Sequence, residues 1–157
     1  MSLRAYRAAI PGNYRVYSAE GARTEGGRWN SPGRPVIYAC VSYGTTLLER
    51  LVHLNKRKFP RTLRYVELEI PDSVSRQSVN ALVIHGWDRP DLVASRIVGD
   101  RWLDEGRHAL LFVPSVPAPL DMNVVINPSH PDAERISVSE ERPILTDPRL
   151  VQGAAKD

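Results

Sequence analysis

Apolar and polar positions along this chain change period several times, and each change marks a predicted element. Leu3 to Ala9 is short and mixed, a strand or a turn of helix, and Pro11-Gly12 ends it. Gly21 to Gly33 reads as an extended loop, rich in glycine and closed by Ser31-Pro32-Gly33. Val36 to Val41 is an apolar run interrupted only by Tyr38, the pattern of a buried strand. The period then becomes helical. Ser42 is a suitable N-cap for a helix running to about Lys56, with Pro60 beyond its end. On that helix Leu47, Leu48, Leu51, Val52 and Leu54 fall on one arc, which predicts a core-facing stripe. Glu49 falls off the arc, and His53 follows it by one turn on the same face.

The second half returns to period two. LRYVELEI, Leu63 to Ile70, is a half-exposed strand whose inner-face candidates are Leu63, Tyr65 or Val66, Leu68 and Ile70. Asp91 to Glu105 predicts a second helix, with Leu92, Ile97, Trp102 and Leu103 partly periodic. Ala109 to Pro114 and Val124 to Asn127 are short buried strands joined through Pro117 and Pro119, and Pro128 follows the second. Irregular alternation with proline-rich connections fits α+β better than a doubly wound fold. No repeat, heptad or Ser/Gly linker divides the 157 residues, a length suited to one domain with a substantial core. The main domain is expected over residues 1–134. Residues 135–157, polar and carrying Pro143 and Pro148, are expected as a partly disordered tail of the same domain.

Composition narrows the class. Hydrophobic residues make 42% and charged residues 25%, the balance of a soluble globular chain. No apolar run approaches the roughly 20 residues of a membrane helix. The N-terminal MSLRAYRAA has no apolar run that could serve as a secretory signal. A lone Cys40 forms no internal disulfide and suits a cytoplasmic protein; among Val36, Ile37 and Ala39 it reads as a buried structural thiol rather than a nucleophile. The net charge of +3 conceals an uneven distribution, because residues up to Arg64 carry 12 bases against 3 acids. A basic half suits nucleic acid, a phosphate-bearing small molecule or an acidic partner, or is neutralised by the other half in the fold.

Familiar cofactor motifs are absent: no GxGxxG after a strand, no GxxxxGK[ST] and no HExxH. His85, His108 and His130 lack ligand-like spacing, so no metal site is expected. What remains is a set of polar residues where structure alone does not demand them: Arg7, Arg28, Tyr38, Glu49 and Ser115. Arg28, Tyr38 and Glu49 fall on a loop, the strand after it and the next helix, close enough to converge.

GARTEGGRWNSPGRPVIYA, then TTLLERLVHL, LLFVPS and NVVINPSHPD, together resemble the RES domain, from about Tyr6 to Asp132. The family comprises toxins of bacterial Xre–RES toxin–antitoxin pairs. The resemblance places the characteristic arginine, glutamate and serine at Arg28, Glu49 and Ser115, with an earlier arginine at Arg7. It implies a single α+β domain like that of ADP-ribosylating toxins, with a curved, split, mixed sheet and flanking helices holding NAD in a cleft. It further implies consumption of NAD as substrate by hydrolysis, phosphorolysis or transfer of ADP-ribose to a protein, phosphoribosyl pyrophosphate synthetase being the target proposed for some relatives. The implied partner is an Xre-type antitoxin that blocks the cleft, with no direct role for nucleic acid or membrane.

The residues suit that chemistry when read individually. Cleaving the nicotinamide–ribose bond develops oxocarbenium character, and nicotinamide leaves as a neutral molecule without a general acid. One carboxylate, Glu49, can stabilise that charge or accept a proton from a ribose hydroxyl or nucleophile. Arg28 and Arg7 are the candidates for the pyrophosphate. Tyr38 can stack on the cationic nicotinamide ring, and Ser115 can orient a hydroxyl, a phosphate or Glu49. Ordinary alternatives exist for each: a solvated helix glutamate, loop or surface arginines, a core tyrosine, a turn serine. Two other readings of the whole are a nucleic-acid-binding module using the basic half and a catalytically inactive relative kept for partner binding.

Overall fold

A computed structural model describes residues 1–54 and 60–150. Its centre is a mixed sheet of strands β1 (Ser2–Ala9), β2 (Ile37–Cys40), β3 (Arg64–Pro71), β4 (Arg76–Ser78), β5 (Leu110–Pro114), β6 (Met122–Ile126), β7 (Ser137–Val138) and β8 (Arg142–Pro143). The order is β4-β5-β6-β2-β1-β3-β7, with β8 also on β3, and among the described residues only the β4–β5 pair is parallel. Three α-helices flank it among the described residues: α1 (Glu20–Glu25), α2 (Tyr43–Val52) and α3 (Val93–Glu105). The α+β expectation therefore holds.

The sheet divides at its middle. β1 and β2 share one register pair, Tyr6 with Cys40, whereas β1 pairs with β3 over its whole length from Ser2–Pro71 to Ala9–Arg64. Beyond Tyr6 the two halves part, and a wedge opens between Arg7–Ala8 and Tyr38–Ala39. On the other half, β5 and β6 are covered on both faces. Leu110, Val124 and Ile126 join Ala5, Leu68 and Ile70 in one cluster, while Leu111, Val113 and Val125 join Trp29, Val36 and Trp102 in another. Two-sided burial explains why these strands read as continuous apolar runs rather than alternating ones.

Several expectations need correction. The loop expected over Gly21 to Gly33 contains α1, stapled by Arg23 to Glu20 at 2.6 Å and stopped at Gly26, whose φ of 73° favours glycine. On α2 the leucine arc is not the buried face. Thr45 and Thr46 are the buried positions, whereas Leu48 and Val52 are 41% and 61% exposed. The helix packs on β1 and β2 where they part, and the residues it buries deepest there are the two threonines. Their hydroxyls are satisfied, Thr46 Oγ1 donating to Ser42 O at 2.9 Å and Thr45 Oγ1 to Asp121. Leu51 and Leu54 do reach a small cluster with Ala8 and Leu63. The expected helix end at Lys56 lies outside the described residues.

On β3 the buried side chains are Val66, Leu68 and Ile70; Tyr65 points the other way, edge-on to Tyr43 at 5.2 Å, and packs with the buried Leu63 in the small cluster under α2. α3 buries Ser95, Gly99 and Trp102, while Ile97 is 64% exposed. A side chain at Gly99 would run into the Trp29 carbonyl, so this helix lies directly on backbone. The polar stretch from Arg135 supplies β7 and β8 to the edge of β3, and Glu141 accepts a 2.8 Å bond from Val16 N. No helix among the described residues is long and apolar enough to cross a membrane.

Candidate active site

The wedge between the sheet halves is a cleft of about 700 Å³, walled by β1, β2, α2, the Gly26–Trp29 loop and the segment around Pro114–Pro117. That volume is typical of sites for small molecules and cofactors. Arg7, Arg28, Tyr38 and Glu49 all line it, and Ser115 reaches it through Glu49.

Arg7 lies one residue past the last β1–β2 pair and takes over from the missing ladder. Its Nη1 donates to Tyr38 O at 2.9 Å across the wedge, Nε to Val16 O at 2.6 Å and Nη2 to Ser18 O at 3.3 Å. Burial, and secondarily the neighbouring charge of Arg50, lower its pKa to about 10, so it is still a cation at neutral pH. Arg28 is fixed by Nη1, which donates 3.0 Å bonds to Trp87 O and Arg89 O. It thereby ties the glycine loop to the segment leading into α3. None of the three cleft arginines, Arg7, Arg28 and Arg50, forms an ion pair among the described residues. The acids of the second half neutralise other arginines, as in the pairing of Arg34 with Asp104.

Tyr38 projects from β2 under the loop. Its hydroxyl donates to Asn30 Oδ1 at 2.6 Å and accepts from Trp29 N at 2.9 Å. Burial pushes that hydroxyl far above the usual tyrosine range, so it stays protonated. Asn30 in turn donates to Ala22 O and Arg34 O, both at 2.9 Å. A Cβ at Gly27 would meet the Tyr38 hydroxyl at 2.6 Å and its ring at 2.7–2.8 Å, which accounts for glycine there. Trp29 is 2% exposed and stacks on Trp87 at 6.3 Å, serving as the loop's packing anchor.

Glu49 stands on α2 with one oxygen held. Ser115 Oγ donates to Oε1 at 2.9 Å and Asn123 Nδ2 donates to the same atom at 2.7 Å. Oε2 accepts no hydrogen bond among the described residues. Ser115 is completely buried and its Oγ also accepts from Ala118 N at 3.3 Å, fixing the loop after β5. Asn123 Oδ1 is buried without a partner among the described residues. An amide that leaves one end unmet in order to aim the other at a carboxylate is a costly arrangement.

Asn30, Arg50 and Asn123 were missed in the sequence reading. For Asn123 a signal existed, since asparagine is depleted in strands and here opens an apolar one. His53 is an exposed residue at the cleft rim, and His130 caps a short 3₁₀ turn, Nδ1 accepting from Asp132 N at 3.1 Å. No cluster of His, Cys, Asp or Glu among the described residues could hold a metal ion.

Fold and cleft define a class: a single α+β domain whose divided sheet gathers one anchored carboxylate and unpaired arginines around a pocket of small-molecule size. The chain belongs to the RES domain family, whose pattern matches residues 4–147. It is 40% identical over 141 residues to the "Prs ADP-ribosylating toxin" of Sphingobium sp. (strain YBL2), covering 87% of this chain and 88% of the relative. It is 40% identical over 131 residues to a "Toxin Res" of Pseudomonas putida, covering 82% and 88%. A chain of the M. tuberculosis MbcT–MbcA toxin–antitoxin complex shares the fold, with a TM-score of 0.74 at 19% identity over 97% of this chain and 88% of that one.

Proposed function

We propose that this chain is the toxin of a bacterial toxin–antitoxin pair and arrests growth by cleaving the nicotinamide–ribose bond of NAD. The observation that carries this reading is Glu49: a carboxylate held through Oε1 by two donors, with Oε2 unengaged, in a cleft whose arginines lack acidic partners. Such a group stabilises positive charge developing at the anomeric carbon and needs no reorganisation to do so. The electron pair of the breaking bond neutralises the pyridinium, so no acid is required at the leaving group. Tyr38 and the loop that it fixes form the wall for the nicotinamide ring, and Arg28 and Arg7 supply positive charge for the pyrophosphate. Ser115 acts as a positioning residue for Glu49.

The ADP-ribose passes to a protein, phosphate or water. The name of the Sphingobium relative ranks a protein first, with phosphoribosyl pyrophosphate synthetase the first target to try. The solved toxin–antitoxin complex of the same fold supports an antitoxin partner, and family membership points to the Xre type.

Incubating the purified chain with NAD, with and without phosphate and cell lysate, separates the acceptors. Free ADP-ribose reports hydrolysis, ADP-ribose 1″-phosphate reports phosphorolysis and a labelled protein reports transfer. Glu49→Ala should lower nicotinamide release by at least about 100-fold and relieve growth arrest. Undiminished release by a folded Glu49→Ala protein would remove the proposal's foundation.

A further inference from the structure

Arg50 follows Glu49 on α2 and lines the same cleft. An arginine in the last turn of a helix ordinarily extends into water, where it complements the helix dipole. Here the Nε atom is buried and has no hydrogen-bond partner among the described residues. Desolvation lowers the guanidinium's pKa, and its charge in turn acts on Arg7. Arg7 on β1 and Arg50 on α2 both line the cleft, and neither forms an ion pair among the described residues. Their hydrogen bonding differs. Each nitrogen of Arg7 already donates to a backbone carbonyl that braces the divided sheet. Among the described residues the Arg50 side chain makes no hydrogen bond and keeps a buried donor unmet, an expensive state unless an anion completes it. The planar fork of a guanidinium matches phosphate oxygens better than any neutral group in the cleft.

We propose that Arg50 is a phosphate-binding residue of this cleft. It holds either the pyrophosphate of the dinucleotide or an inorganic phosphate that accepts the ADP-ribose. Arg50 and Glu49 both line the cleft, so either group is held in the same pocket as the carboxylate. In the second case a phosphate oxygen bonds to the anomeric carbon as the carbon–nitrogen bond breaks. The electron pair goes to the pyridinium ring, and nicotinamide leaves without gaining a proton. The identity of the dinucleotide rests on the NAD reading above; the phosphate chemistry at Arg50 does not.

Calorimetric titration of the full chain and its Arg50→Met and Arg50→Lys variants with ADP-ribose, inorganic phosphate and nicotinamide riboside tests this. Methionine keeps the apolar stem and removes the charge; lysine keeps the charge and removes the fork. Arg50→Met should weaken a phosphate-bearing probe by about 10- to 100-fold, the scale of one charge-assisted hydrogen bond, with Arg50→Lys between. Weakening confined to ADP-ribose identifies the pyrophosphate; weakening confined to inorganic phosphate identifies the acceptor. The phosphate-free riboside should bind all three proteins alike. Affinities for both phosphate-bearing probes within twofold of the parent overturn the proposal, as does an equal loss for the riboside or a parent that binds neither phosphate-bearing probe. If Arg50→Met does not fold, the same criteria apply to Arg50→Lys with a native melting transition. Arg50-dependent binding of phosphate by a chain that does not turn over NAD would defeat the NAD reading and leave the phosphate site standing.

Discussion

Truncating Asn123 to alanine should separate activity from stability. Its Nδ2 gives Glu49 Oε1 a 2.7 Å hydrogen bond, and Ser115 Oγ gives the other at 2.9 Å. A hydrogen bond to a charged group is worth about 1.5–3 kcal/mol. If Glu49 must be held in place only as charge develops, that loss falls on kcat as a factor of about 10 to 100. The same truncation removes Asn123 Oδ1, which is buried without a partner among the described residues, and so removes a cost to folding. The melting temperature should therefore stay near that of the parent or rise while turnover falls. Ser115→Ala should behave differently, because Ser115 Oγ also accepts from Ala118 N in the following loop. There stability and activity should fall together.

Initial rates of nicotinamide release across a range of NAD concentrations, set beside calorimetric melting of each variant, measure both quantities. Asn123→Asp is the stricter control, since it presents a second carboxylate to Glu49 at hydrogen-bonding distance. Its rate should drop further than that of the alanine variant, because like charge disfavours the placement of Glu49 that two neutral donors now favour. A value of kcat/KM for Asn123→Ala within twofold of the parent would refute the positioning argument. An increase confined to KM would show that Glu49 contributes uniform binding rather than transition-state stabilisation.

Two further outcomes follow from packing and burial. Gly99→Ala drives a Cβ into the Trp29 carbonyl, so α3 must lift from the loop; a loss of about 3 kcal/mol, or roughly 6–12 °C in melting temperature, is expected by calorimetry. Burial pushes the Cys40 thiol up to about 12, so the folded chain should react with a disulfide reagent near pH 8 roughly a thousandfold more slowly than the chain in denaturant. The sign of the linked stability is fixed: the unfolded chain releases the thiol proton near its ordinary value while the folded chain retains it. The urea midpoint should therefore fall as pH rises from about 9 to about 12, less steeply in Cys40→Ala.

Much of this was legible in the residues. Period two gave β3 and continuous apolar runs gave β2, β5 and β6, the Ser42 cap placed the start of α2, and the GGRWN loop, Tyr38 and Glu49 lie on one cleft as their order suggested. The burial of α2 was not legible, because its leucine arc is correct as periodicity and misleading as packing. The helix buries Thr45 and Thr46 most deeply and leaves Leu48 and Val52 exposed, because the strands it meets, and not its own apolar period, decide which face turns inward. Gly99 escaped notice for a similar reason: a glycine inside a helix declares its purpose only when the backbone against it is known. Asn123 depends on register. It enters the site because β6 pairs it with Cys40 on β2 and with Val113 on β5, near Ser115.

Registers of this kind change what the polar residues of the cleft are for. Arg7, Arg28 and Ser115 stood out because structure did not seem to require them, yet each makes hydrogen bonds that shape the cleft. Arg7 bridges the two halves of the sheet, Arg28 ties the glycine loop to Trp87 and Arg89, and Ser115 fixes both Glu49 and its own loop. A split sheet needs such braces, because at the wedge the main-chain ladder no longer joins its halves. Backbone carbonyls satisfy most of these donors without cancelling the charges that carry them, so three arginines outnumber the two carboxylates, Glu25 and Glu49, that line the cleft. That combination, cations braced by neutral carbonyls and a carboxylate held by neutral donors, lets the same residues hold the fold open and keep the field that a phosphate-bearing cationic ring would meet.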